Sequence, residues 1–220
     1  MPSGPWARLS RCLALASSLA LLRAALALAI ALCVVPTEAV AHSPLPGFEG
    51  FYVGLLHPLS TPGQLLALLA MGAMLGLRWP EWFAGSWLAF FVLILVGICL
   101  GQLGFIPTWG ERALLVLATL SGTLSALYPT GSFLLSVVLA GVAGLLIGIL
   151  STPDPGPLQP TIITLVGCAV GANLALVYVS GGIGWLRLRS THKILQIGVR
   201  VASAWIAAIS ALLALLTLAA

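Results

Sequence analysis

The sequence predicts an all-α fold: a polytopic membrane helix bundle with six mature transmembrane helices, the first of them broken. Three observations predict it. Hydrophobic residues make up 60% of the 220 and charged residues only 6%, whereas an ordinary soluble domain is roughly 25% charged. The chain therefore cannot cover itself with a polar surface. The apolar residues also fall into runs close to the ~20 residues that a membrane-crossing helix needs, separated by short polar or Pro/Gly-rich punctuation. Finally, the basic residues of the later loops collect on one side of the alternating topology these runs define.

Residues 1–41 read as a secretory signal. Arg8 and Arg11 form a positive start, Leu13 to Val35 is an apolar stretch interrupted by Arg23, and Ala39-Val40-Ala41 is a small-x-small cleavage site. Cleavage would leave His42 as the new N-terminus. The segment is longer than the usual 15–30 residues or so, and an uncleaved signal anchor is the alternative. Leu32 stands where a lipoprotein site would want a small residue, which argues against lipidation.

Residues 42–220 are expected to form one transmembrane domain. The first span, near 51–77, is interrupted between Pro58 and Pro62 and ends before Arg78; the second covers 82–103. A third runs over 112–128, up to the turn Tyr128-Pro129-Thr130-Gly131, and a fourth over 133–150, stopped by the proline-rich loop 151–157. The fifth covers 161–179 before the basic loop of Arg187, Arg189 and Lys193. The last, 194–217, holds Arg200 just inside it, where its stem can snorkel to the interface.

With His42 outside, Arg78 and the 187–193 loop fall in the cytoplasm and Asp154 falls outside, as the positive-inside rule requires. The expected location is the inner (plasma) membrane, with the mature N-terminus outside. The net charge of +4 is then a topology signal, and no nucleic acid is expected as a partner. Cys12 and Cys33 leave with the signal, while Cys99 and Cys168 lie inside apolar runs as packing residues.

Five pairs of glycines one helical turn apart fall in four of the spans: Gly50/Gly54 and Gly72/Gly76 in the first, then Gly97/Gly101, Gly144/Gly148 and Gly167/Gly171. Such pairs let two helix backbones approach closely, either within the chain or across a homo-oligomer interface. None is followed by the lysine and hydroxyl residue of a phosphate loop.

The polar residues of the first span are costly at membrane depth and so point to a site. Pro58 and Pro62 predict a broken helix with His57 near the break and Gln64 early in the next piece, an arrangement that places side chains and backbone dipoles along a pathway. The alternative is an interfacial loop with His57 bonded to a carbonyl. Imidazole suits nickel, copper and zinc, but a tight site gathers three or more donors. The candidate metal ligands are His57 and Gln64, with Glu49 further out. His42, if freed by cleavage, would add a chelate of ring and α-amino nitrogens. Asp154 is placed either at a pathway mouth or in a rigid outer turn. His192 reads as a solvated loop residue.

No enzyme activity is expected. Ser132 and Ser136 lie at and near a turn, and His57 is the single candidate base in any span.

The run Ala41-His42-Ser43, Gly50-Phe51, Gly54, His57-Pro58 and Leu65-Leu66-Ala67 followed by Gly72 resembles the HupE/UreJ family of hydrogenase and urease accessory membrane proteins. Gly104-Phe105-Ile106-Pro107 with Glu111 is similar to that family's Leu-Pro-x-x-Glu lead-in to its third mature span. The resemblance implies a signal peptide, six spans and a nickel or cobalt permease serving metalloenzyme assembly, with the metal as cargo and no resident cofactor.

It also implies a His-Pro-x-x-x-x-Asp-His motif, which His57 and Pro58 begin and from which Gly63 and Gln64 depart. The family's second motif, Phe-His-Gly-x-x-His-Gly, is missing; the nearest helix reads Ser136-Val137-Val138-Leu139-Ala140-Gly141. A divergent member is therefore expected, with lipid bilayer and a divalent metal ion as partners. The alternative is a membrane assembly or scaffold protein that has lost transport.

Overall fold

The computed structural model describes residues 49–127, 132–153, 156–189 and 193–219. The expected signal, His42, Asp154 and His192 lie outside these residues. Among them every regular element is a helix: α1 (Glu49–Ser60), α2 (Pro62–Gly76), α3 (Phe83–Gln102), α4 (Gly110–Leu127), α5 (Phe133–Leu150), α6 (Leu158–Arg189) and α7 (Lys193–Ala219).

The expected break in the first span falls at Thr61, where α1 and α2 meet at a bend of 70°. Pro62 occupies the start of α2, where a missing N–H costs nothing, and it drives Thr61 to an extended conformation, φ −89° and ψ 114°. Pro58 lies inside α1, buried, and does not end it. The carbonyl of His57 closes α1 by accepting three bonds, from the Thr61 N–H (3.1 Å), the Thr61 hydroxyl (3.0 Å) and the Ser60 hydroxyl (3.1 Å). The last turn is thus satisfied without help from α2.

By length and apolar composition, α3, α5, α6 and α7 can each cross a membrane, and the bent α1–α2 pair makes a fifth span. The remaining expected span, α4, is a helix but a more polar one. It opens with Glu111 and Arg112 and carries Thr119, Ser121, Thr123 and Ser125. Three of those hydroxyls bond back to the carbonyl four residues earlier: Thr119 to Leu115 (2.9 Å), Thr123 to Thr119 (2.7 Å) and Ser125 to Ser121 (2.8 Å). Self-satisfied hydroxyls let such a helix sit among apolar neighbours.

The other departure is α6, which runs on past 179 to Arg189 and reaches 32 residues. Tertiary contacts override the helix cost of Gly181, Gly182 and Gly184. The indole of Trp79 packs on Gly184, Ile183 packs on Gly76, and the Arg187 guanidinium donates to the Leu77 carbonyl at the end of α2.

The glycine pairs lie in seams between helices of this chain. α3 and α5 run side by side in the same direction: a β-carbon on Gly97 would strike the Leu145 carbonyl, one on Gly144 that of Phe90, and one on Gly148 that of Ile94. Along α1 and α6, Gly54 meets Thr164, Gly167 meets Phe51 and Gly171 meets Leu55 in the same way; Gly72 and Gly76 of α2 meet Val179 and Ile183 further along α6. These faces are consumed internally, which removes them as surfaces for a partner. α2 lies at the centre, between α4 and α6, and its Leu68, Met71 and Leu75 form the core with Phe90, Leu114 and Ile147. Leu88, Val92, Leu134, Val138, Leu212 and Leu215 face outward, as a lipid-facing surface requires.

Candidate functional site

The bend between α1 and α2 positions the site. His57 is in the last turn of α1 and Gln64 in the first turn of α2, so the interruption turns both toward the start of α4 and the end of α5. Together they line a cavity of about 140 Å³, completed by Thr61, Glu111, Leu114 and Leu150. Its volume exceeds several times the ~30 Å³ share of a liquid water, enough for an ion with part of its hydration shell.

Two polar atoms on the residues that line this cavity stand out. Gln64 is 1% exposed, yet its Oε1 has no hydrogen-bond partner among the described residues, and neither has the buried Nε2 of His57. Buried polar atoms are nearly always paired, so two such orphans on residues lining one small cavity mark them as candidate ligands. The expected alternative, an imidazole tied to a carbonyl, is not supported at Nε2. The Thr61 hydroxyl is committed to the His57 carbonyl and takes a supporting part.

Glu111 is the residue that sequence reasoning left out of the ligand set. It opens α4, a favourable place for a carboxylate at a helix N-terminus, and it reaches over α2 at Gly63. A β-carbon on Gly63 would lie 3.4 Å from Glu111 Cγ and 3.7 Å from Oε1. The Glu111 side chain is thus within ordinary van der Waals reach of the start of α2. The signal was present, since Glu111 is the acidic residue at the head of an apolar span, but nothing in the linear order joins it to Gly63.

Of the other candidates, Glu49 begins α1, but its side chain, like His42 and Asp154, is outside the described residues. Among those residues no three of His, Cys, Asp and Glu gather around one point. His57, Gln64 and Glu111 make a mixed nitrogen and oxygen set, too sparse for a closed metal cage. Such a set suits a cation that stays partly hydrated and moves on.

A larger cavity of about 370 Å³ at the same end of the bundle lies between the α3–α4 and α5–α6 links, bordered by Gln102, Thr152 and Thr161. Both threonine hydroxyls there bond their own helix or turn, Thr152 to Ile149 and Thr161 to Pro157, each at 3.0 Å, so it offers few free donors. Ser136 is buried and paired with Ser86 at 3.0 Å and with the Phe133 carbonyl at 2.7 Å, away from any base. Cys168 is buried as expected, whereas Cys99 is exposed on α3 and does not pack inside. Arg200 donates from Nε to the Ala126 carbonyl at 2.7 Å, tying α7 to the end of α4.

The family model described as HupE / UreJ protein matches residues 30–213. No curated protein and no solved structure matches the chain.

Proposed function

The chain belongs to the HupE / UreJ family, and we propose on that premise that it is a membrane permease for a divalent transition metal, nickel or cobalt. The observation that carries the reading is a pair of buried, unpartnered polar atoms, His57 Nε2 and Gln64 Oε1, on two residues that line one cavity at a helix break. Imidazole selects borderline metals over magnesium and calcium, which prefer all-oxygen sites. The Glu111 carboxylate supplies negative charge against the dication, and the amide oxygen of Gln64 a neutral second donor. Conduction needs binding strong enough to admit the ion and weak enough to release it, and a three-donor set serves that better than a complete cage.

The ion enters as substrate. It exchanges part of its water for these donors and leaves toward the end of the bundle that holds Arg78 and Arg187. Metal admitted in this way would serve assembly of nickel enzymes such as hydrogenase or urease, the role the family resemblance implies.

The test is metal accumulation in cells expressing the full chain. His57→Ala should lower nickel or cobalt uptake by roughly tenfold, the factor of about 1.4 kcal/mol in binding that loss of one good ligand readily reaches, with the protein still present in the membrane. Uptake equal to that of the unaltered protein would reject the permease reading.

A further inference from the structure

The seam between α4 and α7 stays open along part of its length. A groove of about 340 Å³ runs between Thr119, Thr123 and Ala126 of α4 and Ala204, Ala208 and Ala211 of α7. A second cavity of about 280 Å³ continues it, from Ala126 and Ala204 to Ile197 and Arg200. From Ile197 to Ala211 the helix rises roughly 21 Å, a little more than one leaflet of a hydrocarbon core about 30 Å thick. The first cavity, spread over the roughly 10 Å of helix from Ala204 to Ala211, has a cross-section of roughly 30 Å². That admits an alkyl chain.

Charge marks one end of this groove. Arg200 is exposed, and its Nε–H bond to the Ala126 carbonyl holds the guanidinium at the groove's end. Guanidinium is charged at every physiological pH, and its forked donors match a phosphate. No carboxylate lines either cavity. Arg78, Arg187 and Arg189 belong to the same end of the bundle, the end that faces anionic headgroups in the positive-inside arrangement. Of the four helices that qualify singly as spans, α7 is the least buried, which leaves the groove open to the bilayer.

We propose that the α4–α7 groove binds an anionic phospholipid, with one acyl chain along Ala204, Ala208 and Ala211 and the phosphate on the Arg200 guanidinium. The lipid completes a seam that the protein leaves underfilled, and its headgroup charge selects it over a zwitterionic neighbour.

Native mass spectrometry of the purified full-length protein, offered phosphatidylglycerol and phosphatidylcholine together, tests this. The unaltered protein should retain phosphatidylglycerol over phosphatidylcholine by roughly tenfold, as one charge-assisted contact can provide. Arg200→Gln should abolish the preference, and Ala208→Phe, which fills the groove, should abolish retention of both lipids. Equal retention of the two by the unaltered protein overturns the proposal whether or not the variants fold. So does an unchanged preference in Arg200→Gln, or displacement of the lipid by soluble glycerol phosphate as effectively as by phosphatidylglycerol. Disulfide-linked dimers of Ala208→Cys in phosphatidylglycerol vesicles would assign the groove to a second copy of the chain and overturn it as well.

Discussion

His57 divides its polar atoms between two tasks. Its carbonyl accepts three bonds and closes α1, while its Nε2 is left without a partner, as is the Oε1 of Gln64, which lines the same cavity. An unsatisfied buried amide costs roughly 1–3 kcal/mol, so Gln64 is a liability to folding that function has to justify. Gln64→Leu keeps similar bulk and removes the orphan. We expect the purified protein to be as stable or more stable by roughly 1 kcal/mol in a thermal melt, with nickel uptake reduced in cells. A variant that melts lower and transports normally would make the amide structural. His57 and Gln64 were legible in the sequence because polar groups inside an apolar run are conspicuous. Glu111 was not, because its meeting with Gly63 depends on how α4 packs against α2.

Among the helices, spacing alone does not separate glycines that must remain glycine from those that need not. Gly148 has the Ile94 carbonyl and the Ile98 N–H where a β-carbon would go, whereas Gly182 and Gly198 have nothing within 4 Å. Gly148→Leu should therefore push α3 and α5 apart and lower stability by roughly 3 kcal/mol, the upper part of the range for overpacked cores. Gly182→Ala should leave stability unchanged or raise it by up to about 1 kcal/mol through better helix propensity. Denaturation of the two purified variants in detergent checks both; equal behaviour would contradict the seam. The same contrast explains the length of α6. Composition predicts an end near 179, but Trp79 on Gly184 and Arg187 on the Leu77 carbonyl hold further turns in place.

At the scale of the whole molecule, the α1–α2 bend, the start of α4 and the end of α5 share one end of the bundle, and Arg78, Arg187 and Arg189 belong to the other. In the orientation we propose from the positive-inside rule, the His57 cavity faces outward. In a background with Cys99 and Cys168 replaced, a cysteine at Phe105, which is 51% exposed, should react with a membrane-impermeant maleimide in intact cells. One at Leu188, 69% exposed, should react only after permeabilisation. The reverse pattern would invert the topology and the direction of entry proposed here. The bundle also accommodates α4, three of whose four hydroxyls bond to its own carbonyls, so a helix too polar to qualify alone is carried between α2 and α7.

Composition and proline placement determined by themselves that this is an all-α membrane protein, roughly where its helices begin and that the first span is broken. Each is a local consequence of hydrophobicity, backbone sterics or a missing N–H. Only the tertiary structure decided which glycines touch, how far α6 extends, and that Glu111 stands over Gly63 beside Gln64. Those depend on contacts between residues far apart in sequence, and two helices of the same composition can meet in many registers until the packing of the whole bundle selects one.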